Sequence, residues 1–410
     1  MKALHRSSTL LAAIPLAGIA LAAAGCGSGA PDAPVRLDAG PATAAFVAPV
    51  HVSISGLPAA GLVTVQAQTV DGKGPPPWQS AAVFRASTAG TLNLATAVPV
   101  SGSYHTADAA GLLWSLHSAS PNNTTNPLSI SAPAFTVRLT VLTGGHVRAT
   151  TTLQRQLTVT ASAQTVRQDG FAGTLYTSAA VRPGAPAVVA LDGDGENRAT
   201  AEGLAMSGYP ALALGYYNQP GLPPCECSIP LEYFARAVSW LRAQPATRGR
   251  PVVLYGVSDS AEAVLLVASY LPHLADAVVA NSPTAILDIT SNGTGQAFTF
   301  GGKPLVTGMT IPVTSIRIPL LMGDGGQDGL QDSAGAATLI MGELHGSADH
   351  APATNLYYPG AGHAYFGLPP YYPFFTEVLL GGTPQANALA TEQFWTRMIT
   401  FLSQLPTHES

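Results

Sequence analysis

Val252-Val-Leu-Tyr255-Gly256-Val257-Ser258-Asp259-Ser260 runs directly into Ala261-Glu-Ala-Val-Leu-Leu-Val-Ala-Ser-Tyr270. The first four residues are a short, uninterrupted apolar run, the pattern of a strand buried on both faces. The Ala- and Leu-rich stretch after it favours a helix. Small residues at 256 and 260 let strand and helix approach, and the sharp turn between them lifts the Ser258 side chain above the sheet. Serine at 260 stands where a second glycine is usual, so this turn is a weakened version of the pattern.

Runs of the same apolar character recur on both sides of it. Pro186–Leu191, Ala211–Leu214, Ala277–Ala280, Ile318–Met322 and Asn355–Tyr358 all read as buried strands, with helical segments between several of them. The clearest helix is expected over Pro230–Ala243. Leu231, Phe234, Val238 and Leu241 share one face, Ser228 suits the N-cap and Pro230 suits the first turn. Strands alternating with helices predict a doubly wound, mostly parallel sheet over residues 180–407.

Two further segments supply chemistry. His363 ends the Gly-rich loop Tyr358-Pro-Gly-Ala-Gly-His363, and Asp328 ends Gly323-Asp-Gly-Gly-Gln-Asp328, each just after an apolar strand. The chain order Ser, Asp, His is that of α/β-hydrolases. In this reading Ser258 attacks, His363 removes its proton and Asp328 holds the imidazole tautomer, while Asp324 and Asp332 compete for the acid role. An oxyanion hole needs two N–H donors. One is expected from the Asp259 amide, the other from Gly193 or Asp194 in Asp192-Gly-Asp-Gly-Glu196. That loop is too acidic for phosphate, and no metal or cofactor is expected.

The first half of the chain has another rhythm. Val50–Ile54, Leu62–Gln68, Phe135–Leu142 and Thr151–Thr160 are β-branched runs between turn signals, and they predict an all-β sandwich over residues 46–165. His51, His105, His117 and His146 are isolated there and form no catalytic cluster. Residues 27–45, rich in Gly, Ala and Pro, read as a flexible linker.

Residues 1–26 read as an export signal. Lys2, His5 and Arg6 precede an apolar run, Leu10 to Ala24, that is short for a bilayer span. Gly25-Cys26, followed by Gly27-Ser-Gly-Ala-Pro31, is similar to a bacterial lipoprotein signal, with Cys26 as the lipidated residue. The expected address is therefore the outer face of the cytoplasmic membrane or the periplasm, with membrane contact only through the anchor. Cys225 and Cys227 are read as free thiols or a local pair without catalytic role, because a bridge across one residue needs unusual geometry.

Composition sets the outer limits. The 410 residues are 47% hydrophobic and 10% charged, with 18 Lys and Arg against 23 Asp and Glu, a formal net charge of −5. The chain can bury large cores and is not disordered. It has no basic stripe, which excludes nucleic acid as an expected partner.

Taken together, the motifs resemble the acyl-coenzyme A thioesterase / bile acid-CoA:amino acid N-acyltransferase family from about residue 45 to the C-terminus. The resemblance rests on Val50-His-Val-Ser-Ile-Ser-Gly-Leu-Pro58, Gly111-Leu-Leu-Trp-Ser-Leu116, Leu231-Glu-Tyr-Phe-Ala-Arg-Ala-Val238, Tyr358–His363, Pro369-Pro-Tyr-Tyr-Pro373, Gly381-Gly-Thr-Pro384 and the final helix around Trp395. It implies an N-terminal immunoglobulin-like sandwich, an α/β-hydrolase domain, and hydrolysis of acyl-CoA thioesters through Ser258, Asp328 and His363. A serine nucleophile favours water as acceptor over an amino-acid amine. An exported carboxylesterase and a non-catalytic surface module are the other readings, since an exported enzyme meets few coenzyme A esters.

Overall fold

A computed structural model describes residues 34–70, 78–118, 134–156, 161–167, 170–192, 198–287, 296–349, 351–363, 368–371 and 380–407. The export signal, Cys26 and residues 27–33 of the expected linker lie outside the described residues. The rest of that stretch is not a linker, because Arg36–Asp38 pairs with Ser53–Ser55 and Thr43–Ala45 pairs with His146–Gln156.

The N-terminal part is a two-sheet sandwich. One sheet orders Thr43–Ala45, His146–Gln156, Ala134–Thr143, Leu62–Thr69, Trp78–Arg85 and Ser101–Gly102, with His117–Ser118 also on Trp78–Arg85. The other pairs Arg36–Asp38, Ser53–Ser55 and Leu92–Asn93. Alternation decides which side chains go inward: Val63, Val65 and Ala67 are buried, as are Val137, Leu139 and Val141 on the neighbouring strand. Ile54 and Leu92 meet them from the second sheet in one core, joined by Leu94 just after its last strand. The long hairpin turns at Gly144-Gly145, both with positive φ, where L side chains are strained.

The second unit is an eight-stranded sheet: β1 Ala161–Val166, β2 Ala172–Ser178, β3 Ala187–Asp192, β4 Ala211–Gly215, β5 Val252–Val257, β6 Ala277–Asn281, β7 Leu320–Gly325 and β8 Ala353–Tyr358. Their order in space is 1-2-4-3-5-6-7-8. Only β1–β2 and β2–β4 pair antiparallel; the other neighbours are parallel. The helices are α1 Arg198–Met206, α2 Glu232–Ala243, α3 Asp259–Tyr270, α4 Ser333–Gly346 and α5 Pro384–Ser403. Val252 and Leu254 of β5 face α2, α3 and α4, while Val253 and Tyr255 face α1 and α5. Burial on both faces is why these strands read as continuous apolar runs. The architecture is the sandwich followed by a doubly wound α/β-hydrolase sheet.

Two local expectations differ from the structure. Helix α2 begins at Glu232, not Pro230, because Ile229–Pro230 pairs instead with Phe298–Phe300 in a small separate sheet. Ser228, at φ 55°, therefore does not cap the helix. Strand β1 starts at residue 161, so residues read as the end of the sandwich belong to the second sheet. The sandwich also packs on the second unit. Arg155, 1% exposed, donates from Nη2 to the carbonyls of Phe46 and Ala48, and its guanidinium lies 5.6 Å from the Tyr371 ring centroid. Tyr371 in turn donates to Glu392 of α5 at 2.8 Å.

Candidate active site

The site sits at the C-terminal ends of β5, β7 and β8. Ser258 occupies the turn from β5 into α3 with φ 58° and ψ −122°, a sparsely populated conformation for a residue with a side chain. Its amide donates to the Asn281 carbonyl at the end of β6, at 3.0 Å, and its own carbonyl accepts the amides of Ala261 and Glu262. Gly256 has no freedom to be anything larger: a Cβ there would lie 2.0 Å from the Ser260 carbonyl oxygen. The turn closes by direct contact between the backbones of residues 256 and 260.

His363 Nε2 is 2.8 Å from Ser258 Oγ, and His363 Nδ1 is 2.8 Å from Asp328 Oδ2. The imidazole and the carboxylate are each 3% exposed. Three other donors hold Asp328. The amides of Leu330 and Gln331 reach Oδ1 at 2.9 and 3.0 Å, and Ser333 Oγ reaches Oδ2 at 2.7 Å. Burial pushes the Asp328 carboxyl up, but the bonds from His363, the Gln331 amide and Ser333 outweigh it and hold the group below the ordinary carboxylate range. The carboxylate is thus kept charged and aimed at Nδ1.

The loops that deliver these groups are cross-tied. The His363 amide donates to the Leu380 carbonyl at 2.7 Å, and Gln327 N–H donates to the Ala361 carbonyl at 2.9 Å. Asn387 of α5 accepts the Gly362 amide at 2.8 Å. Gly381 and Gly382 both take positive φ. A Cβ at 381 would meet the Gln327 carbonyl at 2.0 Å, which gives the Gly-Gly-Thr-Pro stretch its physical reason. Thr383 then caps α5 by accepting the Ala386 amide, with Pro384 in the first turn.

Of the three acids, Asp328 alone is bonded to His363. Asp332 caps α4 by accepting the Gly335 amide. Asp324 is buried within β7 beside Asn355, and burial raises its carboxyl to about 6. Asp259 starts α3 with its side chain exposed. Gly193 and Asp194 lie outside the described residues. Cys225 and Cys227 are joined as a disulfide, with Cα atoms 5.3 Å apart. Among the described residues no cluster of His, Cys, Asp or Glu is arranged to hold a metal, and no helix is long and apolar enough to cross a membrane.

Sequence reasoning missed Ser333 and Gln331, whose contacts with Asp328 and the Ser282 carbonyl depend on how the 325–332 loop folds back. It also missed Tyr216 and Glu226. Tyr216 donates to Glu226 Oε1 at 3.0 Å and lies 3.3 Å from Ser260 Oγ. No local pattern marks either residue. Chemically, a hydroxyl bonded to an imidazole that is itself bonded to a buried carboxylate can be deprotonated as it attacks an acyl carbon.

The matching family models and the curated relatives are those of acyl-CoA thioester hydrolases. Residues 47–168 match the family model described as acyl-CoA thioester hydrolase/BAAT N-terminal region. Residues 229–300 and 303–406 match that described as BAAT / acyl-CoA thioester hydrolase C terminal. The chain is 29% identical over 407 residues to acyl-coenzyme A thioesterase 1 of Homo sapiens, covering 88% of this chain and 94% of that one. It is 28% identical over 394 residues to mitochondrial acyl-coenzyme A thioesterase 2 of Mus musculus, covering 86% and 85%. A dienelactone hydrolase of Anabaena variabilis, 18% identical, superposes on 58% of this chain and 97% of its own with a TM-score of 0.36.

Proposed function

The chain belongs to the acyl-CoA thioester hydrolase/BAAT family, and from that premise we propose that it hydrolyses acyl thioesters through an acyl-enzyme on Ser258. The observation that carries this reading is the unbroken chain Ser258–His363–Asp328, with both imidazole nitrogens engaged. Ser258 Oγ attacks the acyl carbonyl carbon while His363 Nε2 takes its proton. The resulting oxyanion accepts from the Asp259 amide and a second donor in the Gly193–Asp194 loop. Collapse breaks the carbon–sulfur bond, and His363 returns the proton to the departing thiol. Water, deprotonated by His363, then attacks the acyl-Ser258 carbonyl, releasing the carboxylic acid and restoring the hydroxyl. Asp328 orients the ring and stabilises its cation.

The same proposal includes export with a lipid anchor on Cys26, supported by the basic start, the short apolar run and Gly25-Cys26. Mass spectrometry of the mature N-terminus tests it. An unmodified Met1 would overturn it.

Catalysis is tested with acyl-CoA thioesters beside p-nitrophenyl esters, and by fluorophosphonate labelling. Wild type labels on Ser258 and turns over acyl-CoA. Ser258→Ala loses labelling, with kcat reduced about 10⁴-fold or more. A folded wild-type sample that neither labels nor hydrolyses any of these acyl donors would overturn the proposal. Turnover of the oxygen esters alone would move the substrate class to carboxylesters.

A further inference from the structure

Ser260 takes the elbow position where glycine is usual, and its hydroxyl is buried: the residue is 3% exposed. A hydroxyl removed from water needs a partner. Its partner is Tyr216 Oη at 3.3 Å. Tyr216 has one phenolic hydrogen, and that hydrogen is donated to Glu226 Oε1 at 3.0 Å. With Glu226 ionised, Ser260 is then the donor to Tyr216. A directed relay results, Ser260 to Tyr216 to Glu226, running from the first turn of α3 to the end of β4 and on into the 216–228 loop.

Each member is fixed independently. The Tyr216 ring is 1% exposed and packs edge-on against Phe234 and Tyr217, with centroids 5.4 Å away in both cases. Glu226 is 4% exposed and bracketed by Cys225 and Cys227, whose disulfide closes the backbone around it. Burial, with the Asp259 carboxylate nearby adding to it, raises the Glu226 carboxyl to about 7. The far end of the relay is thus a group that the fold holds at a cost, which a residue serving only to fill space does not require.

The relay bears on Ser258 because residue 260 touches residue 256. The space between the Gly256 α-carbon and the Ser260 carbonyl is too small for a methyl group. Any displacement of Ser260 is passed through that contact to the backbone that sets Ser258. We infer that Tyr216 and Glu226 are positioning residues for the Ser258 elbow, acting through the Ser260 hydroxyl that replaces glycine. This rests on Ser258 being the nucleophile.

The test is a double-mutant cycle in the full-length protein with an acyl-CoA substrate, reading kcat, KM and the rate of fluorophosphonate labelling. Tyr216→Phe keeps the ring and removes the relay. It is expected to lower kcat and the labelling rate about tenfold, within the range that misplacement of a reacting group produces, with KM changed less than twofold. In a Ser260→Gly background, which has no hydroxyl to hold, the same Tyr216→Phe change should cost less than twofold. Glu226→Leu serves in the same cycle if Tyr216→Phe does not fold, and Glu226→Gln, whose amide oxygen still accepts, should recover most of the Glu226→Leu loss. Wild-type kcat in Tyr216→Phe, or an equal loss in both backgrounds, would overturn the inference. Activity surviving in Ser258→Ala would instead overturn the reading beneath it.

Discussion

Replacing Gly256 with alanine probes how tightly the elbow is closed. The added Cβ would stand 2.0 Å from the Ser260 carbonyl oxygen, 2.4 Å from its carbon and 2.8 Å from the Ala261 nitrogen. These are backbone atoms in the first turn of a buried helix, so no side chain can swing away. Real Cβ atoms keep at least 3.0 Å, so the turn must open by 3.0 less 2.0, or about 1 Å. A shift of that size at a reacting group costs on the order of 10²-fold in rate. Overpacking at such a site costs about 1–3 kcal/mol in stability. The expected result is a folded variant with kcat down about 10²-fold, slower fluorophosphonate labelling, and a Tm lowered by roughly 2–10 °C. Gly342 in α4 supplies the control, because a Cβ there meets nothing within 4 Å. Gly342→Ala should stabilise by up to about 1 kcal/mol. A Gly256→Ala enzyme with wild-type kcat and labelling rate would refute the argument that contact between residues 256 and 260 sets the nucleophile.

Two further outcomes follow from the buried acids. Asp328→Asn keeps an acceptor for the Leu330 and Gln331 amides but presents no carboxylate to His363 Nδ1, so kcat should fall by about 10³–10⁴-fold with little change in KM; a loss below tenfold in steady-state assays would exclude Asp328 from the proposed role. Glu226 is held at about 7 against an ordinary 4.5. The folded state therefore binds its proton more tightly, and stability falls as pH rises from about 4.5 to about 7, by on the order of 3 kcal/mol in all. Urea unfolding of Glu226→Gln at pH 5 and pH 8 should lack that share of the fall; Asp324, raised to about 6, contributes equally to both proteins and cancels. Identical pH dependence in wild type and variant would count against the burial argument.

The central strands were legible in the sequence because both of their faces are buried, which turns alternation into unbroken apolar runs such as Val252–Tyr255. Chain order placed Ser258, Asp328 and His363 after three of the sheet's strands, β5, β7 and β8, and the structure puts those side chains in contact. The edge of the sheet was not legible. Ser162 to Thr165 are exposed and three of the four are polar, with only Val166 buried after them, and the same pattern suits a sandwich strand. The start of α2 is not legible because Ile229 and Pro230 lie beside Phe298 and Thr299, far along the chain, with the Ile229 amide donating to the Ala297 carbonyl and the Leu231 amide to the Thr299 carbonyl. The choice among Asp324, Asp328 and Asp332 is likewise not legible in the sequence. It depends on whether a carboxylate ends a strand, caps a helix or faces the imidazole, and residue type alone says none of these.

Arg155 gives the sandwich a different standing from that of an appended module. Its charge is buried between Phe46 and Ala48 on one side and the Tyr371 ring on the other, and that ring is tethered to the last helix of the catalytic unit. Tyr371 follows His363 by eight residues. A graft that exchanged the sandwich for that of a relative would have to carry a cation to this spot, or leave the ring and its Glu392 partner facing a stranger. In this chain the seam between the two units is itself core, and whatever recombines them inherits the obligation to rebuild it.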